Sequence, residues 1–179
     1  MKLRKGSQDA TGLTFGIVAS KFNKFVTSRL LTECVKALTK AGVTDEAIEV
    51  VRVPGAFEIP LVARQLARSG RFDAVICLGA VIRGDTPHFE YISTEVSRGI
   101  LQASMDSNIP VIFGVLTTDT VAQAIERADP EKLNRGADVA KTAIEMVNVM
   151  RLLKKEGSGE APQPATPSRR AGRSAARTR

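Results

Sequence analysis

His88, the only histidine of the chain, follows an apolar segment that ends in the turn Arg83-Gly-Asp-Thr-Pro-His88. The turn predicts a strand followed by a helix, with Thr86 as the N-cap and Pro87 in the first helical position, where a proline loses no hydrogen bond. Free backbone N–H groups at such a helix start attract anions, and an imidazole can transfer protons near neutral pH. The turn therefore suits an anionic substrate beside a proton shuttle, although a surface histidine in a capped helix is the simpler interpretation of this stretch alone.

The elements that would position this turn follow from the apolar pattern. Four apolar segments are typical of parallel strands buried on both faces: 15–19, 48–53, 74–82 and 110–116. Segments with helical spacing separate them, and Thr120-Val-Ala-Gln123 predicts a capped short helix before a final helix over about 134–153. The alternation predicts an α/β three-layer sandwich, with helices flanking a four-stranded parallel, flavodoxin-like sheet. Ligands of such sheets bind at the carboxyl ends of the strands.

The net charge of +7 is unevenly distributed along the 179 residues. The segment 156–179 has five arginines against two glutamates and is rich in Pro, Ser, Gly and Ala. We expect it to be a disordered basic tail after a domain over 13–155, with 1–12 as a short N-terminal segment. The tail could contact RNA through charge, but it has no aromatic residue for base stacking, so a solubilising extension is equally consistent.

The cysteine content and the hydropathy pattern restrict the class of protein. Cys34 and Cys77 occupy core-like positions and are expected to be buried free thiols, and two cysteines with one histidine cannot build a zinc site. No apolar segment is long enough to span a bilayer, and residues 1–12 are polar, unlike a signal peptide. We therefore expect a cytoplasmic protein. No GxGxxG or Walker-type loop supports dinucleotide or ATP binding.

Several motifs, in order and spacing, resemble the 6,7-dimethyl-8-ribityllumazine synthase family across roughly residues 13–153. They lie at 19–23, 53–60, 79–88, 113–117, 124–127 and 134–136. The resemblance implies the penultimate step of riboflavin synthesis, in which 5-amino-6-(D-ribitylamino)uracil condenses with 3,4-dihydroxy-2-butanone 4-phosphate to the lumazine, with loss of phosphate and two waters. It also implies a transferase that needs no metal and no redox cofactor.

The same resemblance implies roles for individual residues. His88 would relay protons. The pyrimidine and its ribityl chain would contact Phe22, Ala56, Phe57, Glu58, Ala80, Val81, Ile82 and Phe113, and the phosphate would contact Asp85, Thr86, Arg127 and Arg135. Structural alternatives stay open: Phe22 and Phe113 suit a core, Glu58 suits the first turn of a helix, and Arg127 suits a helix C-terminus.

Three residues depart from the pattern of the family. Asp85 replaces a small neutral residue, and its carboxylate opposes anion binding unless it turns outward or pairs with Arg83. Arg135 stands where lysine is common, and Asp138 where glutamate is common; the two could form an ion pair.

The resemblance further implies a homo-oligomer. The family forms pentamers whose active sites are shared between adjacent subunits, with Phe113 covering the ring bound by a neighbour. The short link 128–133 favours the 60-subunit shell, in which riboflavin synthase is a further partner, although Pro130 and Leu133 depart from its usual glycine-rich character. Nucleic acid and membrane partners are not expected. The alternative function is a non-catalytic riboflavin or lumazine carrier on the same fold.

Overall fold

The computed structural model describes residues 1–157. Its strands and helices are, in chain order, β1 (Phe15–Ser20), α1 (Lys24–Lys40), a 3-10 turn (Asp45–Ala47), β2 (Ile48–Val53), α2 (Ile59–Ala67), β3 (Ala74–Ile82), α3 (His88–Ser107), β4 (Val111–Thr118), α4 (Val121–Ala128) and α5 (Arg135–Gly157).

The four strands form one parallel sheet in the order β2-β1-β3-β4, which confirms the predicted fold class. Residues of alternate parity point to opposite faces of the sheet. Ile17 and Ile76 belong to the apolar cluster that contains Leu30 of α1, whereas Cys77 belongs to the cluster that contains Ile59 of α2. Helices therefore cover both faces, α1, α4 and α5 on one and α2 and α3 on the other.

The predicted start of α3 is wrong by one position. Pro87, with φ −64° and ψ 0°, is itself the N-cap, His88 is the first helical residue, and no side chain caps the helix, so Thr86 does not have the capping role. The carbonyl of Pro87 accepts from the backbone N–H of Glu90 at 3.1 Å, which begins the helix without help from a side chain. The predicted cap of α4 is confirmed, since the Thr120 hydroxyl accepts from the N–H of Gln123 at 3.1 Å.

Part of the segment 1–12 packs on α5: the Asn148 amide donates to the carbonyls of Ser7 and Asp9 at 3.1 and 2.9 Å. At the other end, α5 continues to Gly157, two residues past the predicted boundary of the domain. The rest of the predicted tail, 158–179, lies outside the described residues.

Both cysteines are buried free thiols, as predicted. Desolvation raises the pKa of Cys34 to about 12 and raises that of Cys77 still further, so neither supplies a thiolate near neutral pH. Within residues 1–157, no helix has the length and apolarity that crossing a membrane requires.

Gly114 allows α5 to approach the sheet closely. A Cβ at this position would lie 2.6 Å from the backbone oxygen of Cys77 and 3.1 Å from a methyl group of Val139 on α5. A Cβ at Gly16, also in a strand, would meet only side-chain atoms, the nearest of them a methyl group of Leu66 at 3.2 Å.

Gly114→Ala should therefore lower the free energy of unfolding by about 1–3 kcal/mol, because a backbone carbonyl cannot move aside as a side chain can. Gly16→Ala is the matched control and should lower it less. Urea unfolding of both variants at one protein concentration measures the difference. Equal losses would contradict the close approach at Gly114.

Candidate active site

A cavity of about 750 Å³ opens at the carboxyl ends of β1, β2 and β3. It is lined by Phe22, Asn23, Gly55, Ala56, Phe57, Glu58, Ala80, Val81, Ile82, Gly84, Thr86, His88, Phe89, Tyr91 and Ile92. The cavity thus contains His88 and most of the residues that the family resemblance assigns to substrate contacts.

The cavity lies at the topological switch point of the sheet. The chain leaves β1 toward β2 on one side, and β3 pairs with β1 on the other side, which leaves a crevice between the exits of β1 and β3. Asn23 spans this crevice: its side-chain amide donates to the carbonyl oxygen of Ala80 at 2.9 Å. The backbone of Asn23 is left-handed, with φ 53°, a conformation that asparagine tolerates better than most residues.

Phe22 is held at the mouth of the cavity and is not a core residue. Its side chain is 70% exposed, so the core alternative for it is wrong. The N–H groups of Lys21 and Phe22 donate to the carbonyls of Val53 and Pro54 at 2.8 and 3.0 Å, which extends the pairing of β1 with β2 beyond the strands. The backbone at Phe22 is therefore fixed by hydrogen bonds, and its exposed ring is available to stack on a planar ligand.

The segment after β2 supplies a second ring and a carboxylate. Phe57 is 57% exposed, and Glu58, the residue before α2, accepts through Oε2 from the N–H of Gly55 at 2.8 Å. This contact closes the turn 55–58, and Glu58 also lines the cavity. Glu58 precedes α2, whose first turn contains no acidic residue, so the first-turn alternative for it is wrong by one position.

The turn after β3 is the polar side of the cavity. Residues 84–88 are exposed, and within residues 1–157 the N–H groups of Gly84, Asp85 and Thr86 have no protein acceptor. Thr86 and His88 line the cavity, whereas Asp85 does not. Three unpaired N–H groups beside a hydroxyl make this turn suitable for an anion.

Asp85 does not pair with Arg83. The ion pair that could have neutralised its carboxylate beside an anion is therefore not formed. Arg83 is already engaged, because its Nε donates to Asp119 Oδ1 at 2.8 Å and its Nη1 donates to Glu90 Oε1. The hydrogen bond to Asp119, followed by that to Glu90, raises the pKa of Arg83. The same guanidinium lowers the pKa of the Glu90 carboxyl. Asp85 itself is exposed, with no ion pair among the described residues.

Phe113, Arg127 and Arg135 do not line the cavity of their own chain. Phe113 is 43% exposed on the edge strand β4, so its core alternative is also wrong. Arg127 is half-buried and donates from Nη1 to the carbonyl of Gln123 at 3.1 Å. Arg135 and Asp138 form the predicted ion pair, at 3.2 Å between Nη1 and Oδ2.

Sequence reasoning missed several cavity residues. Asn23 was part of a motif without an assigned role, although asparagine is enriched among left-handed residues and this one lies in the short link between a buried strand and a helix. Phe89 and Ile92 follow His88 by one and four positions, and the spacing of four residues places Ile92 on the same face of α3 as His88. Among the described residues, no group of three His, Cys, Asp or Glu side chains could hold a metal ion.

Comparisons with known proteins identify the family of the chain. The family model described as 6,7-dimethyl-8-ribityllumazine synthase matches residues 12–151. A relative from Syntrophus aciditrophicus (strain SB), named 6,7-dimethyl-8-ribityllumazine synthase, is 60% identical over 147 residues, which cover 82% of this chain and 96% of the relative. The match includes every residue that lines the cavity. The chain therefore belongs to the 6,7-dimethyl-8-ribityllumazine synthase family.

Proposed function

We propose that the cavity is where this chain condenses 5-amino-6-(D-ribitylamino)uracil with 3,4-dihydroxy-2-butanone 4-phosphate to 6,7-dimethyl-8-ribityllumazine. The observation that carries the proposal is the convergence of His88, an unpaired anion-binding turn and exposed aromatic rings on one cavity. The family membership of the chain supports the reaction. The catalytic domain would span 13–155, with the last residues of α5 extending beyond it to Gly157.

The two sides of the cavity suit the two substrates. The exposed rings of Phe22 and Phe57 offer stacking surfaces for a planar pyrimidine. Ala56, Val81 and Ile82 would contact its polar edge through their backbone groups, and Glu58 would accept hydrogen bonds from the ribityl hydroxyls. The carbonyl oxygen of Ala80 already accepts a hydrogen bond from Asn23. Ala80 would therefore contribute mainly to the shape of the cavity, with one oxygen lone pair left for the ligand.

The turn at the other side would bind the phosphate. Thr86 offers a hydroxyl, and the free N–H groups of 84–86 offer further donors. The carboxylate of Asp85 acts against this binding, so a cation is needed to offset it. Arg127 and Arg135 of an adjacent subunit would supply that charge, since neither lines the cavity of its own chain.

His88 would carry the protons of the reaction. The 5-amino group adds to the ketone carbon, and its protons leave as water forms and the C=N bond appears. Removal of the proton from the carbon next to the C=N bond then expels phosphate from the terminal carbon, and the resulting enol takes up a proton there to become a methyl ketone. The ribityl-bearing N–H adds to this new carbonyl, and loss of its oxygen as the second water closes the ring. His88 would accept protons from the amine and donate them to the departing hydroxyl, which requires an imidazole that can change protonation state near neutral pH.

The assembly that completes the site would be a pentamer, and twelve such pentamers would form the 60-subunit shell. Exposed apolar side chains on α2, α3 and β4 support burial between copies of the chain: Leu61, Leu101, Met105 and Phe113. The link 128–133 is compact, since the N–H groups of Lys132 and Asn134 both donate to the carbonyl of Asp129. Buried free thiols suit the reducing cytoplasm, where we propose that the protein acts. Riboflavin synthase is the protein partner that we propose for the shell.

The purified chain should accelerate lumazine formation above the uncatalysed background, and His88→Ala should reduce kcat by about 10²–10⁴-fold because it removes the proton shuttle. Lumazine fluorescence follows the reaction, and lumazine binding to the variant is the control for an intact cavity. Unchanged turnover in the variant would exclude His88 from the mechanism. A wild-type chain that binds lumazine tightly but shows no acceleration would be a carrier.

Arg127→Ala should raise the KM for the butanone phosphate by about ten- to a hundredfold, because a charge-assisted hydrogen bond to phosphate is lost. The KM for the pyrimidine should change far less. Arg151→Ala is the matched control, since Arg151 pairs with Asp73 at the opposite end of the sheet. Equal changes in both KM values would show that Arg127 is structural.

A further inference from the structure

Arg83 connects the two ends of the turn that carries Thr86 and His88. It is the residue before the turn, and its backbone N–H donates to the carbonyl of Thr118 at 2.9 Å, one step beyond the last pair of β3 and β4. Its side chain then spans the turn and reaches the first turn of α3, where Nη1 donates to the carboxylate of Glu90. One guanidinium thus links the residue before the turn 84–88 to Glu90, in the first turn of the helix that follows.

Two further contacts fix the orientation of that guanidinium. Its Nε donates to Asp119 Oδ1 at 2.8 Å, and its Cζ lies 4.2 Å from the centroid of the Phe89 ring. Asp119 follows β4, and Phe89 lines the cavity directly after His88. Arg83 therefore ties β3, the exit of β4 and the start of α3 together beside the candidate active site.

The exposure of its charged side chains indicates that the cluster of Arg83, Glu90 and Asp119 has a local role. The side chains of Arg83, Glu90 and Asp119 are 42%, 51% and 66% exposed, and ion pairs at such exposure add little to global stability. Residues 84–86, by contrast, donate no backbone hydrogen bond within 1–157, so few contacts of their own hold the turn in place. A weak but oriented bridge can position a turn that lacks other restraints.

We propose that Arg83 is a positioning residue that holds the anion-binding turn and His88 over the cavity, and so sets the affinity for the phosphate substrate. The inference rests on the proposed function of the cavity. It assigns Arg83 no contact with either substrate, and it assigns Glu90 and Asp119 the same indirect role.

A second cluster of the same design provides a matched control. Arg71 pairs with Glu49. Its Cζ lies 4.7 Å from the centroid of the ring of Phe72, the next residue in the chain. This cluster precedes β3 and is therefore at the amino end of the sheet, away from the cavity. Arg71→Gln removes the same kinds of contact as Arg83→Gln without touching the turn.

The first test compares steady-state kinetics of wild type, Arg83→Gln and Arg71→Gln. Arg83→Gln should raise the KM for the butanone phosphate on the order of tenfold and lower kcat, with little change in the KM for the pyrimidine, because a displaced turn misplaces phosphate donors and proton shuttle. Arg71→Gln should match wild type. Identical kinetics for the two variants would overturn the positioning role, whereas an inactive wild type would instead refute the proposed function.

The second test separates positioning from simple charge and needs no change at Arg83. The double variant Glu90→Gln/Asp119→Asn removes two negative charges near the proposed phosphate site while preserving side-chain shape. Charge alone predicts a lower KM for the butanone phosphate. Positioning predicts a higher one, because the guanidinium loses both charged partners. A lowered or unchanged KM in this variant would overturn the inference, even if Arg83→Gln fails to fold.

Discussion

The parallel pairing of β1 with β3 is the constraint on which the site depends. Because β2 lies on one side of β1 and β3 on the other, the chain must leave the carboxyl ends of these strands in opposite directions, and a crevice opens between them. Asn23 spans the crevice by donating to Ala80. The turn after β3 and the aromatic Phe22 after β1 then face the same space, and neither would reach it in another strand order.

The edge strand β4 and the helices after it place their assigned site residues outside the cavity of their own chain. Phe113 lies on a strand with a neighbour on one side only, and Arg127 and Arg135 come from the helices that follow it. These side chains are outside the cavity of their own chain although the family resemblance assigns them to substrate. The turn suits an anion, but the cavity has no lysine or arginine among its lining residues, and this supports the proposal that a second copy supplies the counter-charge.

Much of the fold could be predicted from the sequence because continuous apolar segments such as 74–82 have few other uses than buried parallel strands. The start of α3 could not be predicted to the residue, because proline occurs at neighbouring positions of a helix start and the local composition does not distinguish these positions. The local pattern alone could not decide whether Phe22 and Phe113 are exposed, because an aromatic ring within or beside an apolar strand has the same pattern in a core and in a ligand cavity; only the family resemblance assigned both to the substrate. Contacts between distant segments, such as Asn23 with Ala80, become visible only in three dimensions.

The most direct test of a site shared between subunits is complementation between two impaired variants, assayed at a butanone phosphate concentration far below KM, where the raised KM of Arg127→Ala lowers the rate by about ten- to a hundredfold. His88→Ala and Arg127→Ala chains would be co-expressed, assembled together and assayed for lumazine formation against each variant alone. If each site takes His88 from one chain and Arg127 from a neighbour, an equal mixture should regain about a quarter of wild-type activity, because a quarter of the interfaces combine both intact residues. Activity that stays at the level of the separate variants at every mixing ratio would contradict a shared site.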